Sequence, residues 1–470
     1  MPSSLFKTES ESVCLKASPA ERHELGRSYR ETAPLEAQLE AALTSARPDP
    51  LEILAAQDTS RLAELIPLRY GRMSRTPFTF LRGAAAVMAS DLASGVRSNI
   101  PVELCGDAHL GNFRWYFAPN RELVFDLNDF DETLPGPFEW DVKRLAASIM
   151  VAARVSGFSS RKSGTATRAA MREYRRAIAH TSKLSPLDLH YYRFESKDAL
   201  KDIEKHGKSH REWKQGVLKK ATRKNSLRAF KKLTAQVDGR RMIVSDPPLI
   251  VRIEDEMAEA EIRAMQAFVN RYRDSLSPVQ RILFDRFKLI DIAKKVVGVG
   301  SVGTRCMLLL FVSGDGTPLF LQFKQATASV LEKHLGECEF NQSGQRVVEG
   351  QRLIQATSDT MLGWSRWKQA DGKEIDFYFR QLWDGKGKID VERLDPERLK
   401  AYAALCGKAL ALAHARSGDA MMIRGYIGDD KTFEKVLVEY ANRYASITET
   451  DYMQLSEAIK DGAIEVLLDL

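Results

Sequence analysis

Asp107, His109 and Asn112 stand in a Gly-Asp-x-His-x-x-Asn arrangement within LCGDAHLGNFRWYFAPNRELVFDLNDFDETLPGPFEWD, residues 104–141. A strand-like run, Leu123 to Phe125, leads from there into Asp126, Asn128, Asp129 and Asp131. Asp107 and His109 are the candidate catalytic groups, a carboxylate offered to an acceptor with an imidazole beside it. Asn112 and Asp129 supply the oxygen ligands that a hard cation such as Mg²⁺ takes, with phosphate oxygens completing the shell. The chemistry these residue types suit is phosphoryl transfer.

Asn112 follows Asp107 by the interval that separates Asp and Asn in the catalytic loop of protein kinases. The stretch more closely resembles the aminoglycoside and choline kinase group. There a His-Gly-Asp-x-His-x-x-Asn loop precedes a strand ending in Asp-Phe or Asp-Trp, then a Gly and an aromatic-Asp pair. The matching pieces are Gly106, Asp107, His109, Asn112, Asp129-Phe130, Gly136 and Trp140-Asp141, with Cys105 where that group usually has His. Asp126 also ends the strand and is the rival for the metal position; Phe130 and the offset to Asp141 favour Asp129. Asp141 is expected to cap the helix that begins at Val142, since Asp is a favoured N-cap.

The second chemically informative stretch is KKVVGVGSVGTRCMLLLFVSGDGTPLFLQFK, residues 294–324, with a Gly-x-Gly-x-x-Gly at Gly298, Gly300 and Gly303. That motif serves both dinucleotide-binding folds and kinases. A dinucleotide fingerprint opens a helix at its third glycine, whereas here a strand-like run, Met307 to Val312, follows, then a Ser-Gly-Asp-Gly turn and a third strand that delivers Lys324. Strand, glycine turn, strand, hairpin and strand with lysine is the order of a kinase nucleotide lobe. Glycines let backbone approach phosphates, and the lysine neutralises them. A carboxylate must then hold Lys324; Glu349, in the amphipathic run 346–355, is the first candidate and Glu332 the alternative.

The elements around these segments are mostly helical. Apolar spacing predicts helices over 34–44, 51–67, 141–155, 161–183, 254–287 (a pair), 396–416 and 432–468, and Arg69 to Arg75 reads as a basic connector. Arg82, in PFTFLRG, could face a phosphate or stand solvated at a helix start. Residues 197–241 are strongly basic and read as inserted helices with one charged face, with nucleic acid a less favoured partner. Phe377 to Trp383 reads as a strand leading to a nucleobase hinge. His414 closes a long helix and is expected to pack there.

Bulk properties bound the answer. The chain has 470 residues, 44% hydrophobic and 28% charged, with a formal net charge of +7. These values fit a large globular enzyme of two or more lobes. No apolar run nears the roughly 20 residues that span a bilayer, and MPSSLFKTESES lacks a signal-peptide core, so a cytoplasmic protein without membrane partners is expected. Five cysteines without metal-ligand spacing are expected to stay reduced.

PFTFLRG, CGDAHLGNF, FDLNDFDETLPGPFEWDVKRLAAS, RVVEGQRLIQ and LALAHARSGD together resemble the bacterial family known as domain of unknown function 2252, from about Arg69 onward. That resemblance implies a kinase-like fold and leaves the substrate open. The expected fold is α+β: a bilobal kinase-like molecule with a small antiparallel β nucleotide lobe and a large helical lobe. The glycine loop and Lys324 follow Asp107 instead of preceding it, so the order would be circularly permuted. Expected divisions are an N-terminal tail and helices over 1–68, a helical catalytic lobe over 69–290, a β-rich lobe over 291–390 and C-terminal helices over 391–470. The expected function is ATP- and Mg²⁺-dependent phosphotransfer to a hydroxyl or amine of a small molecule. Nucleotidyl transfer with the nucleotide reversed, or nucleotide-binding regulation without turnover, are the alternatives.

Overall fold

The computed structural model describes residues 17–39, 47–195, 226–237, 240–247, 249–253, 259–296, 298–300, 302–369, 371–382 and 389–468. Most of the basic stretch expected as inserted helices lies outside the described residues, as does Cys14. The other four cysteines are free. Among the described residues no helix is long and apolar enough to cross a membrane.

The molecule combines a large helical portion with small antiparallel sheets. The helices used below are α1 (Pro77–Gly83), α2 (Glu139–Val155), α3 (Ser160–Thr181), α4 (Glu259–Ser275), α5 (Ser343–Ile354), α6 (Pro396–Ser417) and α7 (Thr432–Lys460). The strands are β1 (Pro101–Leu104), β2 (Phe113–Phe117), β3 (Leu123–Leu127), β4 (Leu134–Pro137), β5 (Thr234–Val237), β6 (Arg240–Ile243), β7 (Ile250–Arg252), β8 (Phe287–Lys295), β9 (Cys306–Ser313), β10 (Pro318–Ala326), β11 (Gly363–Lys368) and β12 (Glu374–Gln381). Strands β1 and β4, β2 and β3, and β5 and β6 form two-stranded pairs.

The remaining strands build a six-stranded antiparallel sheet in the order β11-β12-β10-β9-β8-β7. Side chains alternate between its faces with period two. One face carries Leu321, Phe323, Phe377 and Phe379 onto Phe268 and Tyr272 of α4, with the Tyr272 and Phe379 rings stacked at 4.0 Å. This sheet begins at β7 and takes α4 as its cover, so it draws on residues well before 291; burying the apolar stripe of α4 requires it. On the opposite face, Phe320, Leu308 and Leu382 pack beneath Leu233 and the β5–β6 hairpin residue Ile243. Lys324, Tyr378 and Arg380 share that face, beyond the apolar patch.

The helical core gathers α2, α3, α6 and α7 around Leu145, Ile149, Tyr174, Leu410 and Tyr440, all buried. Residues read as a basic connector are helical instead, in Ile66–Met73, because Arg69 is fully buried and neutralised by Asp58 at 2.7 Å. PFTFLRG forms α1, capped by Thr76, whose side chain accepts from Thr79 N.

Candidate active site

The Asp107 loop is pinned from beneath by a buried carboxylate. Asp141 Oδ2 accepts the N–H of Cys105 at 2.7 Å and Oδ1 that of Gly106 at 3.0 Å. Asp141 is therefore not the cap that helix-start preferences predicted: it is the third residue of α2, and it spends both oxygens on the loop. His414 Nε2 lies 3.4 Å from Asp141 Oδ2, and Tyr174 OH lies 2.8 Å from His414 Nδ1. Gly106 turns with φ +76°, and a Cβ there would sit 2.1 Å from the Glu132 carbonyl oxygen, so only glycine fits. Ser148 of α2 completes the anchoring by accepting from Leu110 N at 2.8 Å.

Asp107 projects from this loop with part of its side chain exposed. Arg144 of α2 donates to its Oδ1 from Nη2 at 2.7 Å and Nε at 3.0 Å. Its Oδ2 lies 3.6 Å from His109 Nε2. His109 Nδ1 accepts from Gly111 N at 2.9 Å, which assigns the imidazole proton to Nε2, facing Asp107. Burial pushes the Asp107 carboxyl up to about 7 against the opposing pull of Arg144. A carboxylate tuned near neutrality matches the requirement of a general base.

Asn112 and Asp129 meet behind Asp107. The Asn112 amide nitrogen donates to the carbonyls of Asp107 at 3.1 Å and Asp129 at 3.0 Å. Its Oδ1 is buried with no hydrogen-bond partner among the described residues, and so is Asp129 Oδ1. Buried acceptors without donors are costly, and oxygens of this kind are the ligands that a hard cation takes. Among the described residues no three or more His, Cys, Asp or Glu side chains gather as a metal site, so the protein's share of a cation shell here would be Asn112 and Asp129 alone. Asp126 points elsewhere: Arg416 of α6 holds its Oδ2 at 3.0 Å, and its Oδ1 accepts from Leu127 N.

Lys324 is buried on β10 and forms an ion pair with Asp131, whose Oδ1 accepts from Tyr378 OH at 2.8 Å. Burial works against the lysine's charge, but Asp131, Tyr378 and Asp129 outweigh it and its pKa is raised. Neither carboxylate expected from the sequence takes this place. Glu349 pairs with Arg352 at 3.0 Å along its own helix, and Glu332 accepts from Ser329 N at 2.8 Å. Glu349 is spent on Arg352, while Asp131 follows Asp129 by two residues and reaches Lys324 from the segment after β3. The Asp129-x-Asp131 spacing was the available signal for it.

The glycine loop joins β8 to β9, with Gly298 and Gly303 at φ +80° and +93°. Gly303 leads into a strand, not a helix. The loop is seated on the helical portion: Leu62 N donates to Gly303 O at 2.8 Å, Arg72 Nη1 to Gly298 O at 2.6 Å, and Arg61 to Val302 O. A Cβ on Gly300 would lie 3.1 Å from Arg82 O, which places the loop against the end of α1.

Arg82 was ambiguous in the sequence, and Arg114 and Arg380 carried no signal there. Arg82 is half-buried at the end of α1, not solvated at a helix start. Arg114 extends from β2, two residues past Asn112. Arg380 of β12 donates to Gln322 Oε1 at 3.2 Å and to the Asn128 carbonyl at 3.3 Å.

The chain belongs to the family DUF2252, described as an uncharacterized protein conserved in bacteria, whose model matches residues 61–458. No curated protein and no solved structure matches it.

Proposed function

We propose that this chain is an ATP- and Mg²⁺-dependent phosphotransferase with kinase-like lobes in circularly permuted order, acting on a hydroxyl or amine of a small molecule. The observation that carries this reading is the pair of buried, donorless oxygens, Asn112 Oδ1 and Asp129 Oδ1, with Asp129 near enough to Lys324 for its charge to act on it. Those two oxygens would hold Mg²⁺, which when bound neutralises negative charge on phosphate oxygens. Lys324 and the loop of Gly298, Gly300 and Gly303 hold the nucleotide phosphates, and Asp107 takes the acceptor proton while His109 and Arg144 fix its orientation. Catalysis of this kind consists mainly of positioning and charge neutralisation.

The permuted order is supported by where α6 ends. Glu103 N of β1 donates to Ser417 Oγ at 3.2 Å, so the helix with LALAHARSG abuts the strand that enters the Asp107 loop, roughly three hundred residues earlier. Domain termini commonly lie close together, so joining them and opening another loop preserves the contacts.

The test is thermal. At about 100 times its Kd, Mg·ATP stabilises a folded protein by about 2.7 kcal/mol, and Asp129→Asn and Lys324→Ala are expected to lose that shift. An unchanged shift in both correctly folded variants defeats the assignment. ATP labelled in its α or γ phosphate, incubated with a bacterial metabolite extract, separates phosphoryl from nucleotidyl transfer.

A further inference from the structure

RVVEGQRLIQ, residues 346–355, sends no carboxylate to Lys324, yet it grips the Asp129 segment at both ends. Arg346, in α5, is 2% exposed. Its Nη1 donates to the Thr133 carbonyl at 2.6 Å, and its Nη2 to the carbonyls of Asp131 and Thr327, each at 2.8 Å. Glu332 Oε1 stands 3.6 Å from its Nε, so three backbone dipoles and one carboxylate offset the buried charge. At the other end of the motif Gln355, the C-cap of α5, donates from Nε2 to the Leu127 carbonyl at 2.7 Å. Its own Oε1 accepts from Gln351 Nε2 at 2.9 Å, which fixes the amide in that orientation.

Leu127 ends β3 and Thr133 immediately precedes β4, so these contacts bracket the connection that carries Asn128, Asp129 and Asp131. Thr327 follows β10, three residues past Lys324, and the same guanidinium therefore joins both sides of the cleft. Gly350 lies one turn beyond Arg346 on the same face of α5. A Cβ there would stand 2.3 Å from Thr133 Oγ1. Thr133 is fully buried and its hydroxyl donates to the Leu104 carbonyl at 2.8 Å, so it has no room to yield and the close approach of α5 needs glycine. We propose that α5 positions the Asp129 segment through its backbone, with Arg346 and Gln355 as the positioning residues that set the Asp129 carboxylate for Mg²⁺. This rests on the phosphotransferase reading for the metal, whereas the bracket itself can be measured without a ligand. A guanidinium fork spans carbonyls of two segments, which the point charge of a lysine does not.

The experiment measures binding of a non-hydrolysable ATP analogue to the full chain by calorimetry, once with saturating Mg²⁺ and once with EDTA. Arg346→Lys, which keeps the charge and loses the fork, is expected to cut the Mg²⁺-dependent gain in affinity about tenfold or more, the usual effect of removing a group that orients a metal ligand. Affinity in EDTA, which depends on Lys324 and the glycine loop, is expected to change less than about threefold. Gln355→Met, which loses one neutral donor, is expected to cut the gain about threefold or more. A purely structural clamp lowers the melting temperature and leaves the gain unchanged, and that result overturns the proposal, as does an equal loss with and without Mg²⁺. If Arg346→Lys does not fold, Gln355→Met decides by the same readings. If the wild type does not bind the analogue, or Mg²⁺ adds nothing, the phosphotransferase reading fails instead, and hydrogen exchange decides the bracket. Arg346→Lys, or Gln355→Met in its place, is then expected to speed exchange over residues 127–134 about threefold or more relative to α2 and α6; a change shared by all three regions, or no change, overturns it.

Discussion

Asp131 and Lys324 join the two sides of the cleft: the carboxylate leaves the segment that follows β3, the ammonium leaves β10, and they meet as an ion pair with Tyr378 donating to the same carboxylate. The Lys324 side chain is 2% exposed and that of Asp131 26%. This contact ties the segment proposed to hold Mg²⁺ to the sheet, since Asp129 stands two residues away.

Asp131→Asn is expected to destabilise the protein by about 3 kcal/mol, the lower end for a broken buried pair because part of Asp131 remains in water. Adding Lys324→Met should recover much of the loss, since the uncompensated charge is then gone. Burial raises the Asp131 carboxyl, but Lys324 outweighs it and the net shift is downward. Its contribution is therefore present above the unfolded carboxyl pKa of about 4 and lost as the pH falls through the lower folded value. Urea unfolding at pH 7 and at pH 3 checks both statements.

Asp107 is expected to govern turnover and not nucleotide affinity. Asp107→Asn should cut ATP turnover by about 10²–10⁴-fold with Mg·ATP affinity retained. With the wild-type carboxyl raised to about 7 by burial, the active, ionised base accumulates as pH rises. Wild-type turnover at subsaturating ATP should climb tenfold per pH unit below about 7 and level off above it. A pH profile flat from 5 to 8 contradicts the role.

Asp141 holds two backbone N–H groups with one carboxylate, so Asp141→Asn, with a single acceptor oxygen, should cost about 2–4 kcal/mol. It should also slow turnover by loosening the loop that presents Asp107. Hydrogen exchange at Cys105 and Gly106 reads the loosening directly; protection equal to wild type would exclude it.

Glu349 makes the opposite case. It pairs with Arg352 one turn along its helix, partly exposed, and such pairs are worth under about 1 kcal/mol. Glu349→Gln should leave stability within about 0.5 kcal/mol and nucleotide affinity within about twofold. A tenfold loss of Mg·ATP affinity would show that Glu349 reaches Lys324 when nucleotide binds.

Local pattern determined a good deal of this molecule. Two continuous apolar runs, Met307 to Val312 and Leu319 to Phe323, with the Ser-Gly-Asp-Gly turn between them, made the β9–β10 hairpin legible and put Lys324 on β10. A strand, not a helix, after Gly303 was equally legible, as were α2, α6 and α7 from their helical periodicity. The proximity of Asp107, Asn112 and Asp129 was implied by short intervening chain. Partner choice was not legible, because it depends on groups distant in sequence. Asp126 lies on β3 and Asp129 just past its end, and Arg416, reaching across from α6, holds Asp126. Asp141 could be recognised as a helix-start carboxylate, but its actual partners are two N–H groups of a loop some thirty-five residues earlier. Arg82 carried only an ambiguous sequence signal and Arg114 none: a guanidinium group becomes informative only when packing buries it. Short-range geometry is written in the spacing of residues, whereas the pairing of charges is set by tertiary packing, where the cost of desolvation decides which partners must meet.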